Sequence, residues 1–390
     1  MSDHDTLLAA RTAALRESGW GEGFRFVQPR NLAFWVYLLL VGAGAVIWLR
    51  YASTEAAAYG EVLIVATVLF GLYGALFWWF TQRIDRYAHQ SRKLIAIAFL
   101  WGAFAASWAM AANANSPILS LWGKAFGQAW SIDWGAGLTA PFTEELAKGF
   151  GVLLLIALAP RLVATAFDGF VLGAFIGLGF QILEDIQYAL GSAGEQFGAN
   201  AVDNAMSTIL MRMAFGVAAH ILYSAVFCTG LVYFLGRPAE PRRRGRGLLL
   251  MGTAMLLHGL WDNIGGIAGS TGYLIPLLWV VVIGLAFFTV TRAFNLSVPR
   301  ERSYMRAVMA PEEAAGTVTA EELDTLAGDR SVRKAYRKAA RGHADRRRRD
   351  HLLEAAHDLA DELARSGGRD DQRVRFARAE LARLRAGAPR

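Results

Sequence analysis

The stretch "PFTEELAKGF", residues 141–150, places two acids and one base inside an otherwise apolar segment that continues as "GVLLLIALA". Glu144 and Lys148 are four residues apart, and Glu145 and Lys148 are three apart. On a helix the lysine can therefore neutralise one carboxylate and leave the other to act. Ionisable side chains are costly inside a bilayer and are retained where they line a hydrated or functional cavity. The stretch therefore indicates a functional site within a membrane helix.

Three further apolar segments carry polar side chains of a related kind. At about 1.5 Å per residue, Glu145 lies roughly 10 Å below the outer end of its predicted helix, and Glu184 and His258 lie about 9 Å from theirs. His220 belongs to a longer segment, so its depth is not fixed by the sequence. Supporting polar residues lie at multiples of four positions from the histidines, on the same helix face: Arg212 and Ser224 on either side of His220, and Asp262 after His258.

Glutamate and histidine at one membrane depth suit peptide hydrolysis. A glutamate can take a proton from water, while imidazoles bind a metal or donate to the oxyanion. Two histidines and a carboxylate would also satisfy zinc, with one position left open for water. The His-Glu-x-x-His helix of soluble metalloproteases is absent from the sequence, so any metal site must be assembled across helices. Chains of carboxylates and histidines also serve proton-coupled transport. The residue types favour hydrolysis but do not exclude transport.

The elements that must position these residues are membrane helices. Of the 390 residues 54% are hydrophobic, with 12 tryptophans, 23 phenylalanines and a mean hydropathy of +0.30, which is typical of a multi-pass membrane protein. We predict an all-α helical bundle with about eight transmembrane helices. The predicted spans are residues 32–49, 61–80, 93–112, 139–160, 166–190, 206–236, 247–264 and 274–293.

Charge placement predicts the orientation of the bundle. Lys and Arg cluster before the first span, after the second, after the sixth and after the eighth, whereas the alternate connections contain only Arg50 and Lys124. Positive charge stays on the cytoplasmic side, so we expect a protein of the cell membrane with both termini in the cytosol. The predicted divisions are a cytosolic segment 1–31, a transmembrane domain 32–295 and a charged tail 296–390.

The tail is predicted to be helical and cytosolic. Thr319 and Glu322 have the spacing of a capping box, and Leu352, Leu359 and Leu363 recur at helical spacing. We expect its basic residues to contact anionic lipid headgroups. A cytosolic protein partner is the alternative, and nucleic acid is not expected.

At these residues the sequence resembles the PrsW family of intramembrane proteases, whose clan includes the type II CAAX prenyl endopeptidases. The resemblance covers roughly residues 30–295. It rests on four motifs that occur in this order along the chain: EExxK at Glu144, Glu145 and Lys148, FxxxE at Phe180 to Glu184, a histidine at His220 preceded by Arg212, and HxxxD at His258 to Asp262.

The resemblance implies cleavage of a membrane-anchored protein near the extracytoplasmic face, typically a single-span anti-sigma factor. It implies that Glu145 is the general base and that Glu144 and Lys148 orient it. His220 and His258 would be metal ligands or oxyanion donors, with Glu184 as a further ligand or supporting acid. Zinc is the cofactor implied, and a metal-free glutamate mechanism stays open.

The sequence departs from the family pattern in two respects, so functions other than a peptidase stay open. Ser224 stands one turn after His220, where a second imidazole would complete a fuller metal site, and the tail lies outside the region of resemblance. The clan also contains a noncatalytic scaffold subunit of gamma-secretase. The alternatives to a peptidase are therefore a membrane scaffold or adaptor and a proton- or ion-coupled transporter.

Overall fold

The computed structural model describes residues 2–216 and 219–387. These residues form helices and no β-strand, which confirms the predicted all-α class. Two residues of the predicted span 206–236, namely 217–218, lie outside the described residues, as do Met1 and residues 388–390 of the predicted tail.

The helices named below are given in chain order. They are α1 (Asp3–Ser18), α2 (Leu32–Ile84), α3 (Arg92–Phe126), α4 (Ala136–Leu158), α5 (Ala166–Ala193), α6 (Ala201–Phe215), α7 (His220–Leu235), α8 (Arg244–Asp262), α9 (Leu274–Ala314), α10 (Ala320–Leu326), α11 (Arg330–Lys338), α12 (His343–Arg365) and α13 (Gln372–Ala386).

The predicted spans fall on α2 to α9. By length and apolar composition, α2, α3, α5 and α9 are each able to cross a membrane among the described residues, and α6 with α7 qualifies as a pair bent by 42°. The protein is therefore a helical membrane protein. The number of crossings stays a prediction, because α4 and α8 carry the ionisable residues that lower their apolar character.

The 53-residue helix α2 contains two of the predicted spans and folds back on itself. Its one non-helical residue is Tyr59, with φ −132° and ψ 43°. The Tyr37 hydroxyl donates to the Ile97 carbonyl at 2.8 Å, and the Trp78 ring packs 5.4 Å from the Phe99 ring. On a straight helix Tyr37 and Trp78 would be about 60 Å apart. Both reach the same part of α3, so α2 is a helical hairpin that turns at Tyr59.

Helix α5 lies at the centre of the bundle. In its most apolar window 94% of the residues are buried, against 11% for α9, whose apolar side chains face outward. Glycines let α7 approach α5 closely: a Cβ at Gly177 would lie 2.3 Å from the His220 carbonyl oxygen, and one at Gly173 would lie 2.5 Å from that of Ser224. Small residues on a membrane helix permit this close approach. It holds Glu184 on α5 beside the residues of α7.

The tail and the N-terminal helix form a second core. Thr319 and Glu322 make the predicted capping box at the start of α10. Leu352, Leu359 and Leu363 are buried on α12, as their spacing predicts. They pack in a cluster that also contains Leu15 of α1.

A buried ion pair joins α1 to the far end of α9. The Arg11 guanidinium donates to Glu312 at 2.7 Å and to the Val308 carbonyl at 2.8 Å, and Arg378 of α13 donates to the same carboxylate at 2.7 Å. Burial alone would raise the pKa of Glu312, but the hydrogen bonds from Arg378 and Arg11 outweigh it, so the pKa lies below its usual value. Helix α9 runs unbroken across the predicted boundary at residue 295, so the membrane helix itself carries the tail.

Candidate active site

Helix α4 contributes two carboxylates and the lysine between them. The Lys148 ammonium lies 2.9 Å from Glu145 Oε1 and 3.4 Å from Glu144 Oε2. It also sits 3.9 Å from the centre of the Phe180 ring of α5. All three ionisable side chains are buried. One cation faces two carboxylates, so further positive charge or protons must come from neighbouring helices.

Each of the two histidines is oriented by a different carboxylate. His220 at the start of α7 places Nε2 2.7 Å from Glu184 Oε2, and His258 on α8 places Nδ1 3.2 Å from Glu145 Oε1. A carboxylate accepts hydrogen bonds, so the partners assign the ring proton to these two nitrogens. The other nitrogens, Nδ1 of His220 and Nε2 of His258, each lie 3.7 Å from Glu144 Oε2. Two imidazoles and one carboxylate oxygen therefore converge on one point.

The supporting residues predicted from the sequence surround this point. Arg212 donates to Glu184 at 2.9 Å and to Asp185. The Ser224 hydroxyl donates to Glu145 Oε2 at 3.2 Å, and Asp262 Oδ2 lies 3.5 Å from His258 Nε2. The structure thus brings all the predicted site residues into one cluster: Glu144, Glu145, Lys148, Glu184, Arg212, His220, Ser224, His258 and Asp262.

Two contacts of the site were not predicted from the sequence. Asn115 of α3 donates to Glu144 Oε1 at 3.1 Å and accepts from the Thr143 hydroxyl. Tyr223 stacks on the His258 ring at 5.3 Å. The sequence showed Asn115 only as a polar residue in the predicted outer connection. Its spacing did not relate it to Glu144.

The cluster contains a set of donors suited to a metal ion. Glu144, His220 and His258 each offer one ligand atom, and these atoms lie within 4.8 Å of one another in a buried position. Two nitrogens and one carboxylate oxygen are the donors of many zinc sites. The Glu184 and Glu145 contacts to the remaining ring nitrogens also match the carboxylate partners that orient metal-binding histidines. The donor set fits zinc, with Glu184 on the far nitrogen of His220 and Glu144 as the carboxylate donor, and the Lys148 ammonium, 2.9 Å from His220 Nδ1, would have to move aside for the ion.

The site lies toward the end of the bundle away from the tail. Glu145 is nine residues, about 14 Å, from the start of α4 at Ala136. That start lies beside the end of α8, because the Gly137 amide donates to Asn263 Oδ1 at 3.0 Å. The opposite end of α4 meets the N-terminal segment, where the Gln28 amide donates to the Leu158 carbonyl at 2.8 Å.

Comparison with known families gives a match that covers the whole site. Residues 90–290 match the PrsW family intramembrane metalloprotease, which is just over half of the chain. The chain belongs to this family. It is accordingly an intramembrane peptidase whose substrate is a membrane protein. Neither the curated proteins nor the solved structures gave a match to the chain. Residues 1–89 and the tail lie outside the family match.

Proposed function

We propose that this protein is an endopeptidase of the cell membrane that cleaves a membrane-anchored protein, such as a single-span anti-sigma factor, near its extracytoplasmic face. The observation that carries the proposal is the convergence of His220 Nδ1 and His258 Nε2 on Glu144 Oε2, both at 3.7 Å. The point where these three atoms converge lies at the end of the bundle away from the tail, which supports cleavage at the extracytoplasmic face. With both termini in the cytosol, that end faces the outside.

Glu144 is the carboxylate that we assign to water activation. Both carboxylates have polar partners, but Glu144 Oε2 faces both imidazoles, whereas Glu145 faces only that of His258 and its other partners are Lys148 and Ser224. Glu144 takes a proton from the water as the oxygen attacks the scissile carbonyl carbon. It returns that proton to the amide nitrogen as the carbon–nitrogen bond breaks. Glu145 then serves to hold His258.

The other residues position this reaction. Glu184 and Arg212 fix the ring of His220, and Lys148 balances the charge of the two α4 carboxylates. A zinc ion at this point would be held by Glu144, His220 and His258. It would polarise the scissile carbonyl and lower the pKa of a bound water. With zinc bound, Glu144 would be the third donor, so its role as the base belongs to the metal-free form of the chemistry.

The test is cleavage of single-span substrates by the purified protein in lipid, with wild type, Glu144→Gln and Glu145→Gln compared. Glu195→Gln is the matched control, because Glu195 is exposed and lies outside the cluster. We expect Glu144→Gln to abolish cleavage and Glu145→Gln to leave a measurable rate. The sequence-based assignment of the base to Glu145 predicts the reverse order. Full cleavage by both variants would overturn the proposal.

A zinc chelator separates the two forms of the chemistry. Loss of cleavage that zinc restores would establish the metal form. Cleavage that survives chelation would leave Glu144 as the base and the imidazoles as groups that contact the oxyanion. Flux across the membrane without cleavage would instead support the transporter alternative, and substrate binding without turnover the scaffold.

A further inference from the structure

A second cluster of metal-binding side chains lies at the tail-bearing end, far along the chain from the active site. His89 belongs to the connection between α2 and α3, and His357 and Asp361 lie one turn apart on α12. One donor atom from each of these residues lies within 4.8 Å of the others. None of the three falls within residues 90–290, so the family match assigns them no role.

The hydrogen bonds of His357 fix which of its nitrogens is free. Nε2 lies 2.7 Å from the Arg86 carbonyl oxygen, which can only accept, so Nε2 carries the ring proton. Nδ1 then presents a lone pair, and it faces Asp361 Oδ2 at 3.9 Å. A lone pair and a carboxylate oxygen repel each other unless a proton or a metal cation lies between them. A backbone carbonyl on the far ring nitrogen is also the usual partner of a metal-binding histidine.

Asp361 is held in place from another part of the chain. The Trp20 indole donates to Oδ1 at 3.1 Å, and Oδ2 faces both histidines. His89 Nδ1 donates to Oδ2 at 3.0 Å, so a metal ion would take the place of that proton, and the two imidazole rings are 4.6 Å apart. In a tetrahedral zinc site the donor atoms are about 3.3 Å apart. Small rotations of the rings would therefore bring the three donors to zinc distances.

We propose that His89, His357 and Asp361 form a zinc-binding site that ties the tail to the membrane domain, with the fourth position open to water. Two imidazole nitrogens select a transition metal over calcium or magnesium, which prefer oxygen donors. The competing cation is Arg365, whose guanidinium lies 3.9 Å from Oδ2. That side chain is 54% exposed and also pairs with Glu362, which can hold it away from Oδ2 when zinc binds.

The first test uses the full-length wild-type protein in detergent and needs no variant. Diethyl pyrocarbonate modifies accessible histidines, and peptide mass spectrometry reads each one separately. We expect added Zn²⁺ to protect His89 and His357 while His351, which is exposed on the same helix α12, stays reactive. Equal modification of His89 and His357 with and without Zn²⁺ would overturn the proposal.

The second test counts bound zinc. The active site can take one ion of its own, so the difference between proteins is the informative quantity. We expect His357→Gln to bind one equivalent fewer than wild type and His351→Gln to bind the same number as wild type. An unchanged count in a monodisperse His357→Gln protein contradicts the site. The protection experiment decides the matter if that variant does not fold.

Discussion

The two active-site histidines each depend on one carboxylate that does not itself face the reaction. Glu184 contacts His220 Nε2 at 2.7 Å, and in Glu184→Gln the amide keeps a hydrogen-bond acceptor but loses the charge that also holds Arg212. We expect cleavage to fall by about 10- to 100-fold with the fold retained, as for other residues that orient metal ligands. The rate of cleavage in lipid at saturating substrate measures this. A rate equal to that of the Glu195→Gln control would count against the role.

Asn115 supplies a second residue-scale prediction. Its amide donates to Glu144 Oε1, and a hydrogen bond to a charged group contributes about 1.5–3 kcal/mol. We expect Asn115→Ala to lower the cleavage rate by about 10-fold or more. Asn113→Ala is the matched control, because Asn113 lies on the same helix and donates to the carbonyls of Trp108 and Ala109, away from Glu144. Equal cleavage rates in the two variants would show that the Asn115 hydrogen bond to Glu144 does not support catalysis.

Spacing along the chain predicted the contacts between side chains on the same helix. The i, i+3 and i, i+4 relations of α4 are present as the Lys148 contacts to Glu145 and Glu144, and His258 meets Asp262 one turn on. The tautomers were not predictable, because each depends on a carboxylate from another helix. Asn115 was missed for the same reason, since 29 residues of chain separate it from Glu144.

At the scale of the element, the packing of α5 against α7 holds Glu184 and His220 together. A Cβ at Gly177 would lie 2.3 Å from the His220 carbonyl oxygen, so Gly177→Ala must push the helices apart. We expect a loss of about 1–3 kcal/mol in the free energy of unfolding, together with a reduced cleavage rate. Thermal unfolding in detergent measures the first quantity, and the lipid assay measures the second.

Gly191→Ala is the control for this substitution. Gly191 lies on the same helix, and among the described residues no atom beyond its own turn of helix lies within 4 Å of the position where its Cβ would be. Alanine is the better helix former, so we expect this variant to be as stable as wild type or more stable. Similar losses in both variants would show that the close approach at Gly177 is not what matters.

The predicted spans 32–49 and 61–80 place a connection at residues 50–60, but the sequence does not predict how that connection turns. A single residue, Tyr59, turns α2 into a hairpin, and its sequence context "AAAYGE" contains no strong turn signal. Arg212 lies on one helix and His220 and Ser224 on the next, because α6 ends at Phe215 and α7 begins at His220, and helical periodicity alone did not predict these bounds.

At the scale of the whole molecule, Glu312 connects the N-terminal helix, α9 and the tail. Glu312→Gln would leave Arg11, which is 3% exposed, without its counter-charge. Breaking a buried ion pair costs about 3–5 kcal/mol. We expect faster amide hydrogen exchange in α1 and α13 with no change in α5. Glu313→Gln is the control, because Glu313 is the exposed neighbour. Equal exchange in the two variants would rule out this connection.

The same carboxylate predicts a dependence on pH. The pKa of Glu312 in the folded protein lies below its usual value of 4.5, so its contribution is complete above about pH 4.5. That contribution is lost as the pH falls through the lowered pKa. We expect the protection factors of α1 and α13, which are corrected for the intrinsic pH dependence of amide exchange, to be lower in acid than at neutral pH in wild type. The change should be smaller in Glu312→Gln, and an equal change would contradict the assignment.

The joining of the two ends of the chain was beyond sequence-based prediction. Arg11 and Glu312 are 301 residues apart, and the polar N-terminal segment had no feature that related it to the tail. The capping box at Thr319 and the leucine spacing of α12 were predictable because they are local. The orientation of the bundle and the divisions at residues 31 and 295 stay predictions from charge and composition.

Cleavage of a single-span substrate in lipid in ¹⁸O-labelled water, with the products read by mass spectrometry, tests both the role of Glu144 and the face of cleavage. Wild type should yield one new carboxyl terminus that carries the label, at a position near the membrane face away from the enzyme's tail. Glu144→Gln should yield none. A labelled product from Glu144→Gln at the wild-type rate, or a cut at the tail-side face, would contradict the account.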